Sequence, residues 1–91
     1  MAMPKFLKDP DATLDYTFNW ASWLNSGDTI ASSSWVVPSG VTVGTDTHTG
    51  QRATAFISGG TLGTTYFCVN RIITANGLTD DRTLILIIAD R

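Results

Sequence analysis

Two side chains have the chemistry of a nucleophile and its base, Cys68 and His48, the chain's one cysteine and one histidine. Such a pair must lie within hydrogen-bond reach, with a third group orienting the base. Cys68 stands in a run of aromatic and β-branched residues that reads as a strand, where a free cysteine behaves as a small buried hydrophobe. His48 stands in Gly44 to Gly50, a polar stretch flanked by glycines without apolar periodicity, which reads as a surface loop. The pattern predicts a core cysteine, a loop histidine and no enzyme.

Metal and phosphate chemistry find little better support. One cysteine and one histidine distant in sequence do not supply the close ligand set that zinc requires. Calcium could draw oxygen ligands from Asp9, Asp11 and Asp15, or from Asp80 and Asp81 with Asp28, if one end of a sandwich brought them together. Solvated turn carboxylates are the plainer reading. Gly59-Gly60-Thr61-Leu62-Gly63 has the glycines of a phosphate loop, but no lysine follows and the next element is a strand, which leaves no helix N-terminus for an anion. These glycines are expected at positive-φ turn positions, and no cofactor is expected.

Aromatic residues are dense: Phe6, Tyr16, Phe18, Trp20, Trp23, Trp35, Phe56, Tyr66 and Phe67. On an exposed face they would make a sugar or partner platform. Alternation places most of them in two inward rows instead, so core packing is the leading reading.

The elements that must position these groups are strands. Leu14, Tyr16, Phe18 and Trp20 alternate with polar residues, a period of two that marks a half-buried strand from Thr13. Ala21 to Ser26 is too short for a helix and reads as one turn, with Trp20, Trp23 and Leu24 plugging the end of a sandwich. Thr29 to Val37 is a second strand, its inner face marked by Trp35 and Val37, and Val41 to Val43 continues it beyond Pro38. Arg52 to Ser58 alternates again, with Ala53, Ala55 and Ile57 on one side. Gly63 to Thr74 and Arg82 to Arg91 flank Asn76-Gly77, a strong short-range hairpin signal. Residues 1–12, with Pro4 and Pro10, read as an extended N-terminal arm carrying Phe6 and Leu7, and residues 13–91 as one domain.

The fold class is therefore all-β: a small antiparallel β-sandwich of six or seven strands with Greek-key-like connections. A 91-residue chain has a thin core, burying roughly 60 to 65% of its unfolded surface. Eight aspartates, no glutamate, and abundant Thr, Ser and Gly favour turns and strands over helices. Net charge is −2 and the six basic residues are scattered, so nucleic acid is not an expected partner. No apolar run approaches the ~20 residues that span a bilayer, so no membrane role is expected, and the N-terminus has no signal-peptide core. A single cysteine fits folding in a reducing cytoplasm.

Tyr66-Phe67-Cys68 resembles the tyrosine corner of immunoglobulin-type domains, although the chain has no second cysteine for their inter-sheet bridge. That resemblance implies an Ig-like sandwich in which Tyr66 bonds back to the upstream turn; alternation itself places Cys68, Trp35 and Trp20 in the core. From Lys8 onward the chain also resembles a family of short virion-associated structural proteins of tailed bacteriophages and prophages. The residues that carry this are Lys8-Asp-Pro-Asp11, Leu14-Asp-Tyr16, Trp20-x-x-Trp23-Leu24, Gly27-Asp-Thr-Ile30, Ser58-Gly-Gly60, Gly63-x-x-Tyr66, Asn70-Arg-Ile72 and Asp80-Asp-Arg-Thr83. This second resemblance implies a virion protein made in the host cytoplasm, first a capsid decoration or cement protein, alternatively a neck or tail accessory. It implies capsid or tail proteins as partners and several copies on the particle, and it carries over no catalytic residue.

Leu84 to Ile88 is apolar on both pleat faces and must be covered twice. Leu84, Leu86 and Ile88, with Phe6 and Leu7 of the arm, are therefore the expected partner interface. A different reading is a host-surface recognition module using the loops at Asp46 to His48 and Asn76-Gly77, which requires Trp20 and Trp23 to be exposed.

Overall fold

The computed structural model describes residues 3–90. Among them are seven strands and no helix: β1 (Lys5–Lys8), β2 (Thr13–Asn19), β3 (Ile30–Val36), β4 (Val41–His48), β5 (Arg52–Gly59), β6 (Thr65–Thr74) and β7 (Thr79–Ile88). They form two facing sheets, one in the order β1-β7-β6-β3 and the other β2-β5-β4. Only the β4–β5 and β6–β7 links stay within a sheet; the other links cross between the two layers.

The core is what alternation demands. Tyr16, Phe18 and Trp20 from β2 and its end, Ile57 from β5, Cys68 and Ile72 from β6, and Leu84, Leu86 and Ile88 from β7 are buried together. Ala53 and Ala55 are fully buried, and in register they stand beside Phe18 and Tyr16. The bulky neighbours these alanines accommodate therefore lie beside them on β2.

Four features depart from the sequence reading. The N-terminal arm is a strand of the sandwich: β1 pairs parallel with β7, Lys5 to Ile85 through Lys8 to Ile88. Its last residue, Lys8, is wholly buried, and its Nζ donates to the carbonyls of Gly59 at 2.6 Å and Asp9 at 3.0 Å. That contact ties one sheet to the other. Pro10 then falls in a turn closed by Ala12 N–H on Asp9 O, with Asp11 N–H on the Asp9 carboxylate.

The stretch from Gly44 to His48 is strand, not loop. The β4–β5 register shifts between Val43 and Asp46, and beyond that shift Asp46 and His48 pair with Ala55 and Ala53. β4 borders its sheet, so its side chains are mostly exposed and apolar periodicity is absent even though the ladder is present. A second shift, between Ile30 and Ser32, lets Ile30 be buried while Ser33 and Trp35 remain on the inner side. One inserted residue reverses the alternation, so Ile30 and Trp35, five residues apart, lie on the same side. Last, β7 begins at Thr79, so the turn is only Ala75 to Leu78, closed by Thr74 N–H on Leu78 O, with Gly77 at φ +88°.

Candidate binding surfaces

Residues paired across a ladder share a face, so the register assigns each outward side chain. On the β1-β7-β6-β3 sheet Phe67 stands beside Ile85, Val69 beside Thr83, Val36 beside Val69, and Leu7 beside Ile87. Val36 is 65% exposed, Phe67 56% and Leu7 50%; Val69, Ile85 and Ile87 are half-buried. Further along, Arg71 holds Asp81 in a two-pronged ion pair at 2.8 and 3.0 Å and bounds this apolar area on one side. The hydrogen bonds between them, helped by their opposite charges, hold Asp81 below the usual carboxylate range and Arg71 above its own.

The outer face of the other sheet is built differently. Its register sets Thr13, Asp15, Thr17 and Asn19 beside Ser58, Phe56, Thr54 and Arg52. The Thr17 and Thr54 hydroxyls share a 2.8 Å hydrogen bond, and Phe56 is the large apolar side chain of this face. One side of the sandwich is threonine-rich and wet, the other apolar.

The expected interface residues separate accordingly. Leu84, Leu86 and Ile88 face the opposite sheet and are essentially fully buried, so in the folded domain they build the core and cannot meet a partner. The outward residues of that strand are Ile85 and Ile87. Phe6, in register with Leu86, turns toward the interior rim and packs its ring 5.0 Å from Tyr16; Leu7 faces outward.

Trp20 is wholly buried and donates its indole N–H to Asn70 Oδ1 at 3.0 Å. Asn70 Nδ2 donates to Ser33 Oγ at 2.9 Å and to the Ser34 carbonyl at 3.0 Å, so the amide links β6 to β3 and to the β2 end. Arg82 lies over the Trp20 ring at 4.1 Å, and Trp23 meets it edge-on at 5.4 Å. Trp35 stacks on Phe18 at 5.8 Å. Trp20 is a buried plug and Trp23 is half-buried against it, so of the two anchors that a recognition surface would need Trp20 is out of reach. Sequence reasoning passed over Asn70, although it shares the inward row of Cys68 and Ile72 and so had to be a satisfied buried amide.

Tyr66 accepts a hydrogen bond from Thr61 N–H at 3.0 Å, and its ring lies against Gly40, where an added Cβ would come within 2.7 Å of the hydroxyl. At the other end of the sandwich, Asp28 accepts from Thr29 N–H at 2.9 Å and Asn76 N–H at 3.2 Å, joining the β2–β3 connection to the β6–β7 turn. Burial works to raise its pKa, but these bonds, with the Thr74 hydroxyl and Ala75 N–H, hold it below the usual carboxylate value.

The residues with possible chemistry stand apart. Cys68 is inside β6, its thiol pushed up to about 11 by burial, while His48 ends β4 in the other sheet, exposed. Among the described residues no three His, Cys, Asp or Glu gather as a metal-holding group. Asp28 and Asp81 already serve other groups, and Asp80 caps the Asp81 N–H.

A protein-family model described as podophage GP4 fiber-tail adaptor protein gp77 matches residues 8–87. No curated protein matches the chain.

Proposed function

Because the chain belongs to the gp77 family of podophage GP4 fiber-tail adaptor proteins, we propose that it joins fibre to tail through the apolar outer face of its β1-β7-β6-β3 sheet. As a member of a phage structural family it is a virion component, made in the host cytoplasm. The family description names fibre and tail, which supports the tail-accessory alternative over head decoration, and tail proteins over capsid proteins as the partners.

The observation that carries this reading is the asymmetry between the two outer faces. Leu7, Val36, Phe67, Val69, Ile85 and Ile87 share this outer face, with Lys5 beside Ile85 and Thr65 beside Ile87, while the opposite face sets one large apolar side chain, Phe56, among threonine, serine, aspartate and Arg52. Exposed apolar side chains gathered on one face are the mark of a protein–protein contact. Copies repeated around a symmetric tail would add weak contacts into firm attachment. The strand order also supports an immunoglobulin-like sandwich, with β7, β6 and β3 opposite β2, β5 and β4.

The test is particle assembly with a Val36→Ser, Phe67→Ser variant that folds normally. Expected is loss of the chain and of fibres from purified particles. Full incorporation of the folded variant would remove this face from the proposal.

A further inference from the structure

An adaptor needs two surfaces, and the second is not a face but an edge. Four strands border the two sheets: β1, β3, β2 and β4. An open edge invites another strand to add to it unless bulges, prolines, lysines, shortness or inward-pointing charges prevent this. β1 is four residues long, follows Pro4 and carries Lys5 and Lys8. β3 is shifted at Ala31 and approaches β4 along their shared corner. β4 is shifted after Val43 and sets Asp46 and His48 on the inner side of its ladder.

β2 has none of these devices. Its register with β5 runs unbroken from Thr13–Ser58 to Asn19–Arg52, and it holds neither proline nor lysine. Among the described residues no strand pairs with its other edge. At the same corner two apolar side chains belong to inward-facing rows yet are left exposed. Leu14 of β2, beside Ile57, is 40% exposed, and Phe6 of β1, beside Leu86, is 39% exposed. One comes from each sheet, and Phe6 reaches across to β2, its ring 5.0 Å from Tyr16, so the two exposed side chains mark the rim of the sandwich along the outer edge of β2.

We infer that the free edge of β2 takes an extended segment of a partner tail protein as an added strand. The fibre-tail reading supplies the need for this second contact; the strand geometry supplies its place. The segment would carry apolar residues at alternate positions to cover Leu14 and Phe6, with lysine or arginine between them to face Asp15 and the neighbouring exposed Asp11. A second copy of β2 fits poorly, because antiparallel self-pairing would bring two Asp15 carboxylates onto one face.

The test uses the full chain, isotope-labelled, and a short capped peptide alternating valine with lysine. Expected are amide shift changes confined to β2, Phe6 and Leu14, slowed exchange of the β2 amides, and weakening by about tenfold when alternate peptide nitrogens are methylated, the equivalent of one or two lost backbone hydrogen bonds. Asp15→Lys should also weaken binding, while Phe67→Ser, on the apolar face, should not. Unchanged β2 amides at millimolar peptide, equal binding of the methylated peptide, or shifts on Phe67 and Val36 instead would overturn the edge. None of these outcomes bears on particle incorporation, so the two proposals fail separately.

Discussion

Trp20 and Asn70, fifty residues apart and both wholly buried, meet through a 3.0 Å hydrogen bond from indole N–H to amide oxygen. The same amide fastens Ser33 and Ser34 of β3, so one polar side chain orients three separate segments. Asn70→Ala leaves the indole N–H and the Ser34 carbonyl unpaired and opens a small cavity, at a cost of about 2–4 kcal/mol. Ser34→Ala should be silent, because its backbone carries the bond. Equilibrium urea unfolding checks both, and an unchanged midpoint for Asn70→Ala would refute the role.

Leu86 and Phe67 separate the inside of the sheet from its outside. Leu86→Ala should cost about 2–5 kcal/mol by emptying the core. Phe67→Ala should stay within about 1 kcal/mol of the parent yet remove the chain from particles. Thermal melts beside particle composition measure the two effects, and comparable destabilisation by both substitutions would contradict the assignment of faces.

Gly60 has φ +107°, and a Cβ there would lie 2.6 Å from Ile88 Cδ1; Gly63 has φ +84° with open space around it. Gly60→Ala therefore combines backbone strain with overpacking, about 2–4 kcal/mol, and Gly63→Ala only strain, about 1–2 kcal/mol. Equal losses in the two melts would count against the clash.

Asp28 has a folded pKa below the ordinary 3.8. Its contribution is thus complete above about pH 5 and is lost as pH falls through that value and then through the lower folded one. The difference in melting temperature between parent and Asp28→Ala should be widest near neutrality and shrink as pH falls below 3.8. A gap that persists in acid would exclude a role for the ionised carboxylate.

Cys68 is raised from 9.0 to about 11 by burial, so its neutral thiol favours the fold below pH 9, and that contribution fades as pH rises toward 11. At pH 8 the native protein should resist a disulfide-exchange reagent that labels the urea-unfolded chain at once. Rapid labelling of the native chain would show the thiol to be accessible.

Much of this fold was legible because its signals are local. Leu14, Tyr16 and Phe18 alternate over a regular strand, and Asn76-Gly77 closes a hairpin whose turn requires the positive φ of Gly77. The strand at Leu84 to Ile88 is legible as apolar on both faces, but the residues that build the core cannot be told from those facing out without the register with β6. The rest was hidden for physical reasons. A one-residue shift at Ala31 leaves no mark in composition, and an edge strand such as β4 needs no apolar row. The pairing of β1 depends on a strand some eighty residues away, which no window along the chain contains.

That parallel pairing has a mechanical consequence. Because β1 and β7 run in the same direction, tension on the two ends of the described chain pulls them in opposite senses along their length. Their ladder is loaded in shear, so its bonds must break together instead of unzipping one by one. Lys8 on the Gly59 carbonyl acts as a latch at the end of that ladder. A chain stretched from both ends should therefore hold to higher force than one lacking β1.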